Sequence, residues 1–142
     1  MTDTGLPAIA VTVEKTNRVL KEIEAAYGWP RQRRNQSYAA LRVVLQTLRD
    51  RLTVEEAADL AAQLPMLIRG LYYEGWDPRD VPVKMDREAF LDRIRRRFAY
   101  QVDGGAERLT RTVLAAVRQH VTDGEWDDVR STMPKDLVGV LP

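Results

Sequence analysis

The stretch VLQTLRDRLTVEEAADLAAQLPMLIRG, residues 44–70, returns in altered form as VLAAVRQHVTDGEWDDVRSTMPKDLVG, residues 113–139. Laying position 44 on position 113 matches Val44-Leu45 with Val113-Leu114, Arg49 with Arg118, Thr53 with Thr122, Glu56 with Glu125, Asp59 with Asp128, Pro65 with Pro134 and Gly70 with Gly139. The apolar positions between them agree in kind: Leu48 meets Val117, Leu52 meets Val121, Leu60 meets Val129, Leu64 meets Met133 and Ile68 meets Leu137. Farther upstream, past a short indel, Val19-Leu20, Ile23 and Tyr27 fall on Phe90-Leu91, Ile94 and Phe98. Self-similarity on this scale implies stacked copies of one structural unit that share a core.

The matched residues have local roles. Tyr38, Leu41, Leu45, Leu48 and Leu52 recur at intervals of three and four, the apolar stripe of a long amphipathic helix. Thr53 with Glu56, and Thr122 with Glu125, have the spacing of a capping box, in which the threonine hydroxyl takes the N3 amide and the glutamate returns to the threonine amide. A new helix is therefore expected after each threonine. Pro65 and Pro134 suit the first position of a further short helix, and Gly70 and Gly139 are expected to end it in the left-handed conformation. Gly28-Trp29-Pro30 and Asp103-Gly104-Gly105 separate the first two helices of each unit.

These signals predict an all-α helical bundle of two pseudo-repeated units, each with two long helices, a shorter third helix and a terminal helical turn. The helices are expected near 13–27, 31–51, 54–63 and 65–69, and again near 87–101, 106–121, 123–132 and 134–138. Val81-Pro82-Val83 is too short for a strand and is interrupted by proline. Either half alone would expose an apolar face, so residues 1–142 are expected to form a single all-α domain with repeat units at about 13–73 and 86–142.

Composition narrows the function classes. A chain of 142 residues can bury a core without staples. Cysteine is absent, which removes disulfides and thiolate ligands and fits a reducing, cytoplasmic compartment. No basic segment followed by an apolar run opens the chain, and no apolar run approaches membrane-spanning length, so no membrane association is expected. The 22 Lys+Arg against 21 Asp+Glu leave no global field to recruit nucleic acid, and any such binding must come from a local patch.

QLPMLIRGLYYEGWDP at 63–78, with RDRLTVEEA at 49–57 and GEWDDVR at 124–130, resembles the domain-of-unknown-function family DUF2267 over most of the chain from about Thr16 onward. The resemblance implies a small helical bacterial protein. It carries no assigned activity, and hence no catalytic residues to transfer.

The residues themselves offer no catalytic constellation and no cofactor motif. Glu55, Glu56 and Asp59 are echoed by Glu125, Asp127 and Asp128, but acids in a first helical turn are already explained by capping and the helix dipole, so no metal site is expected. His120, the only histidine, falls in the last turn of its helix, where a polar or cationic side chain serves free carbonyls. The strongest candidate surface is the connector after the first unit, where Arg69, Tyr72, Tyr73 and Trp76 combine the residue types enriched at binding hot spots. The same aromatic residues could instead pin the connector over the core. The expected function is a non-catalytic protein-interaction module that binds an unknown protein partner or self-associates through this connector and its neighbouring groove. The alternative is nucleic-acid binding through Arg31, Arg33 and Arg34 together with Arg93, Arg95, Arg96 and Arg97, with Tyr38 and Tyr100 close enough in sequence to stack.

Overall fold

The computed structural model describes residues 5–142. Among the described residues eight α-helices follow one another: α1 (Pro7–Tyr27), α2 (Arg34–Arg51), α3 (Val54–Ala61), α4 (Met66–Tyr73), α5 (Arg87–Arg97), α6 (Gly105–Arg118), α7 (Asp123–Ser131) and α8 (Lys135–Val138), with a 3-10 turn at Arg31–Arg33 leading into α2. No strand occurs among the described residues.

One hydrophobic core runs through the whole bundle. Leu41, Leu45 and Leu48 of α2 share it with Val19 and Ile23 of α1, Ile68 and Tyr72 of α4, Phe90 and Ile94 of α5, Leu109 and Val113 of α6, and Trp126 of α7. Helix α2 is central, lying against α1, α4, α5 and α6; α1 also rests on α6, α5 on α6, and α3 on α7. Buried hydroxyls are satisfied within their own helices, Thr16 donating to the Thr12 carbonyl, Thr47 to Val43 and Thr110 to Ala106.

Local chemistry explains most helix ends. Thr53 and Glu56 form the full capping box. Gly28 ends α1 at φ 70°, its amide donating to the Ala25 carbonyl while Trp29 donates to Glu24. Gly104 opens α6 at φ 81°, and a Cβ there would stand 2.8 Å from Cβ of Arg108. That arginine lies over the Tyr27 ring at 4.3 Å and donates to the Ala26 carbonyl, while Tyr27 stacks on Trp29 with ring centroids 4.5 Å apart. The end of α1 is thereby fastened to the start of α6.

Six expectations are corrected. Helix α1 begins at Pro7, six positions before the expected 13, because proline in the first helical turn gives up an amide that has no partner there anyway. Gly70 and Gly139 are not left-handed: α4 runs on through Gly70 to Tyr73, and Gly139 has φ −64°. Burial of Leu71 and Tyr72 extends α4 beyond the glycine, and the chain turns at Gly75 instead, at φ 75°. Pro65 and Pro134 take the N-cap position rather than the first helical one. Helix α5 stops at Arg97, short of 101, because Phe98 turns extended and buries its ring. Tyr38 is not part of the buried stripe of α2; it is 44% exposed. The second capping box is also only half formed. Thr122 accepts from the Glu125 amide, but its own amide donates to Gln63.

A candidate partner-binding groove

The connector predicted as the contact surface is largely turned inward. Tyr72 is fully buried, its hydroxyl donating to the Ala57 carbonyl at 3.0 Å, and burial pushes its phenol far above the ordinary range. Tyr73 and Trp76 are half-buried against the core, in ring contact with each other at 5.2 Å, and Tyr73 meets the edge of Tyr72 at 5.2 Å. Buried Arg49 reaches across from α2 to donate to the carbonyls of Tyr72 and Glu74 at 2.8 Å, closing the end of α4. Arg69 is spent on the end of α3: its Nε donates to the Ala61 carbonyl at 2.9 Å and its Nη2 to that of Leu64 at 3.1 Å. Of the four residues, Tyr72 presents nothing to a partner, and the others serve as struts.

The exposed apolar surface lies beside this lock. Among the described residues, eight large hydrophobic side chains are exposed, and four of them, Ile9, Tyr38, Met66 and Leu67, line a single groove between α1, α2 and α4. The groove has a volume of about 600 Å³, with Leu20 and Leu71 in its walls and Glu74 at one end. Met66 is 54% and Leu67 47% exposed, so the first turn of α4 stands open. Thr12 holds that turn in place by accepting the Leu67 amide at 2.8 Å. Gly70, with open space where a Cβ would be, widens the trough. Glu74 is engaged by Arg42 of α2. Exposed apolar side chains scattered singly are ordinary, whereas here four are gathered in one concavity. Ile9 escapes a sequence reading that starts α1 at 13, whereas Met66-Leu67 directly after Pro65 was a visible signal.

The arginines are divided and mostly neutralised. Arg31, Arg33 and Arg34 stand at the N-terminal end of α2, whereas Arg93 pairs with Asp50 at its C-terminal end, about 25 Å away along an 18-residue helix. Arg34 binds Glu24, Arg95 lies 3.9 Å from Glu88 and Arg96 binds Asp92 at 3.0 Å. Tyr100 accepts a hydrogen bond from Asn35 and leans on Phe98, at the edge of a smaller groove of about 410 Å³ between α5 and α6. Tyr38 instead lines the larger groove.

The acidic helix starts do meet. Glu56 and Asp59 of α3 face Glu125 and Asp128 of α7 across a cleft of about 300 Å³, with Glu55 and Asp127 outside its lining. Burial first, then Asp59, Asp128 and Glu56, push the Glu125 carboxyl above its ordinary value. No group of acids or histidine among the described residues has the geometry to hold a metal ion. His120 sits half-buried beside Lys15 and Gln119, its imidazole held below its ordinary value by burial and by Lys15 and Arg18.

The family model described as "Uncharacterized conserved protein (DUF2267)" matches residues 16–139. No curated protein matches the chain. Among the described residues no helix is long and apolar enough to cross a membrane.

Proposed function

We propose that this chain, which belongs to the uncharacterised conserved family DUF2267, is a non-catalytic protein-interaction module whose contact surface is the groove between α1 and α4. The observation that carries the reading is the gathering of Ile9, Tyr38, Met66 and Leu67 around one open trough. A trough of this kind accepts an amphipathic helix, whose apolar positions at three and four spacing fill it while its polar face stays in water. The lock made by buried Tyr72 and Arg49 with exposed Arg69 supports the reading, because it keeps α4 in place while its outer face remains free to bind. The absence of cysteine supports work in a reducing, cytoplasmic compartment.

The same proposal treats the chain as a fused duplicate with units at about 13–73 and 86–142, related by an approximate twofold. In its favour, α2 lies on α6 and α3 on α7, each against its repeat counterpart, and the contact of α1 with α6 is answered by that of α5 with α2. The groove breaks this relation, since α4 is two turns long and α8 a single turn.

Site-specific photocrosslinking tests the groove. A photoreactive residue at Leu67 should give protein adducts in a native lysate, adducts that Met66→Glu abolishes, while the same probe at exposed Glu88 on α5 gives none. Equal labelling from both positions, or none from Leu67, would remove the groove from consideration. Nuclease-sensitive material lost steeply with salt would move the function to Arg31, Arg33 and Arg97, which make no close ion pair among the described residues.

A further inference from the structure

The start of α2 carries the wrong charges for a helix N-terminus. The dipole there favours carboxylates, yet the first turn of α2 has no acid, and neither α2 nor the 3-10 turn before it has a side-chain cap. Arg31, Arg33 and Arg34 stand there instead. Arg31 and Arg34 form one wall of a pocket of about 440 Å³. Ala10, Val13, Glu14, Asn17, Arg18 and Lys21, spaced at three and four along one face of α1, form the other. Four cations thus line one concavity against a single carboxylate, Glu14, in a chain whose net charge is only +1. Two of the four are spent, Arg18 on Glu14 at 3.0 Å and Arg34 on buried Glu24 at 3.1 Å. Lys21 and Arg31 make no close ion pair among the described residues, although the charge of Arg31 reaches Glu24. Like charges gathered in one hollow at the positive end of a helix oppose the fold, and an anion seated among them removes that opposition.

We propose that this pocket binds the phosphate group of a small phosphate monoester, Lys21 and Arg31 meeting its charge while Ala10 and Val13 flank the rest of the molecule. A phosphate monoester carries about −1.5 to −2 at neutral pH, which answers the two unspent cations; a lone carboxylate would leave one of them unanswered. Arginine supplies the planar fork that suits phosphate oxygens, and lysine a compact point charge. A phosphate group fills only part of about 440 Å³, so the body of the ester has room beside the two apolar side chains and the half-buried Asn17. The inference stands apart from the groove between α1 and α4, since all four cations line this pocket and none lines the groove.

Amide NMR shifts of the full chain, titrated with glycerol 3-phosphate at constant ionic strength, test the site. The amides of Asn17, Lys21 and Arg31 should shift saturably with a Kd of about 1 mM or below. Glycerate, with a similar body and a single charge, should bind about tenfold more weakly. Lys21→Ala and Arg31→Ala should each weaken glycerol 3-phosphate by about tenfold. Glu14→Gln, which releases Arg18, should tighten it by about threefold, and Lys84→Ala, which removes the same charge elsewhere, should leave it unchanged. All four replaced side chains are exposed, so circular dichroism should show equal helicity. Shifts that never saturate, or a Lys84→Ala loss equal to that of Lys21→Ala, would reduce the effect to charge screening and overturn the site. Equal affinity for glycerate overturns the monoester. Tighter binding at the same amides of an oligonucleotide without a terminal phosphate also overturns it, in favour of a nucleic-acid backbone. Once glycerol 3-phosphate binds as expected, phosphatidylcholine vesicles containing phosphatidic acid identify the source of the group. Cosedimentation lost in Arg31→Ala assigns it to a lipid headgroup, and no cosedimentation assigns it to a free ester.

Discussion

The backbone amide of Thr122 donates to Oε1 of Gln63 at 2.8 Å, so the cap of α7 is completed by a side chain from the segment after α3. At the equivalent place in the first half, Thr53 receives the carboxylate of its own Glu56. One cap is local and the other ties two elements together. Gln63→Ala should therefore lower stability by about 0.5–1 kcal/mol in urea unfolding, the range of a lost cap bond at an accessible site. Glu125→Ala should not reproduce that loss through the Thr122 amide, since Glu125 does not accept from it.

Glu125 titrates against its surroundings. Burial, followed by Asp59, Asp128 and Glu56, raises its pKa in the folded protein, so the folded state binds its proton at a higher pH than the unfolded chain does. Lowering the pH through that window favours the folded state, and above it the ionised group is a standing cost. Glu125→Gln should raise the melting temperature at pH 7, by no more than about 1 kcal/mol in stability. The advantage should shrink as the pH falls toward about 4.5, the unperturbed glutamate value.

Glu24 has the opposite sign. Burial alone would raise its pKa, but hydrogen bonds from Arg34 and Ser37, with the charge of Arg34, outweigh it and hold the carboxyl below its ordinary value. The stability it contributes is present above the unfolded glutamate pKa and is lost as the pH falls through the folded one. Glu24→Gln should cost about 2 kcal/mol at pH 7, because it leaves the partly buried Arg34 without its charge partner. Urea unfolding at pH 3 should show a smaller difference between variant and wild type than at pH 7.

Arg49 is 3% exposed and serves three acceptors at once: Asp50 and the carbonyls of Tyr72 and Glu74. Arg49→Ala should cost about 3 kcal/mol, since it takes the donor from the carbonyls of Tyr72 and Glu74 and leaves Asp50 with Arg93 alone. Arg49→Lys should recover only part of this, because a single ammonium cannot reproduce the planar fork. Chemical unfolding of the three proteins gives the order directly.

Much of the helical framework was legible because it is written in short-range chemistry: the threonine caps, the glycine at 28 and the leucine stripe of α2 act within one or two turns. Gly70 was misread because glycine after a short helix is an ambiguous mark, and burial of Leu71 and Tyr72, a property of the assembled core, carried α4 past it. For Tyr72 the sequence left two readings open, partner contact or a pin over the core. Tyrosine is common both at interfaces and in cores, and only the Ala57 carbonyl waiting for its hydroxyl decides between them. Of the groove's lining only Met66-Leu67 was marked in the sequence, and its assembly with the rest was not. Ile9, Tyr38 and Met66 are far apart in the chain, and each alone is an unremarkable exposed apolar residue.

Because α1 rests on α6 and α5 on α2, each half of the molecule supplies the cover for the other's apolar face. The chain from Glu74 to Asp86 is docked by the Val83 amide on the Asp50 carbonyl, by Arg49 on the Glu74 carbonyl, by buried Met85 and by Trp76 and Val83 packed against the core. Its main service is that of a tether, keeping the two halves at an effective concentration on the order of millimolar. On the fused-duplicate reading proposed above, such a bundle is in essence a dimer whose subunits have been spared dilution. Lengthening the tether is then cheap, about 0.6 kcal/mol for each doubling, while cutting it would change the order of the folding reaction rather than the fold.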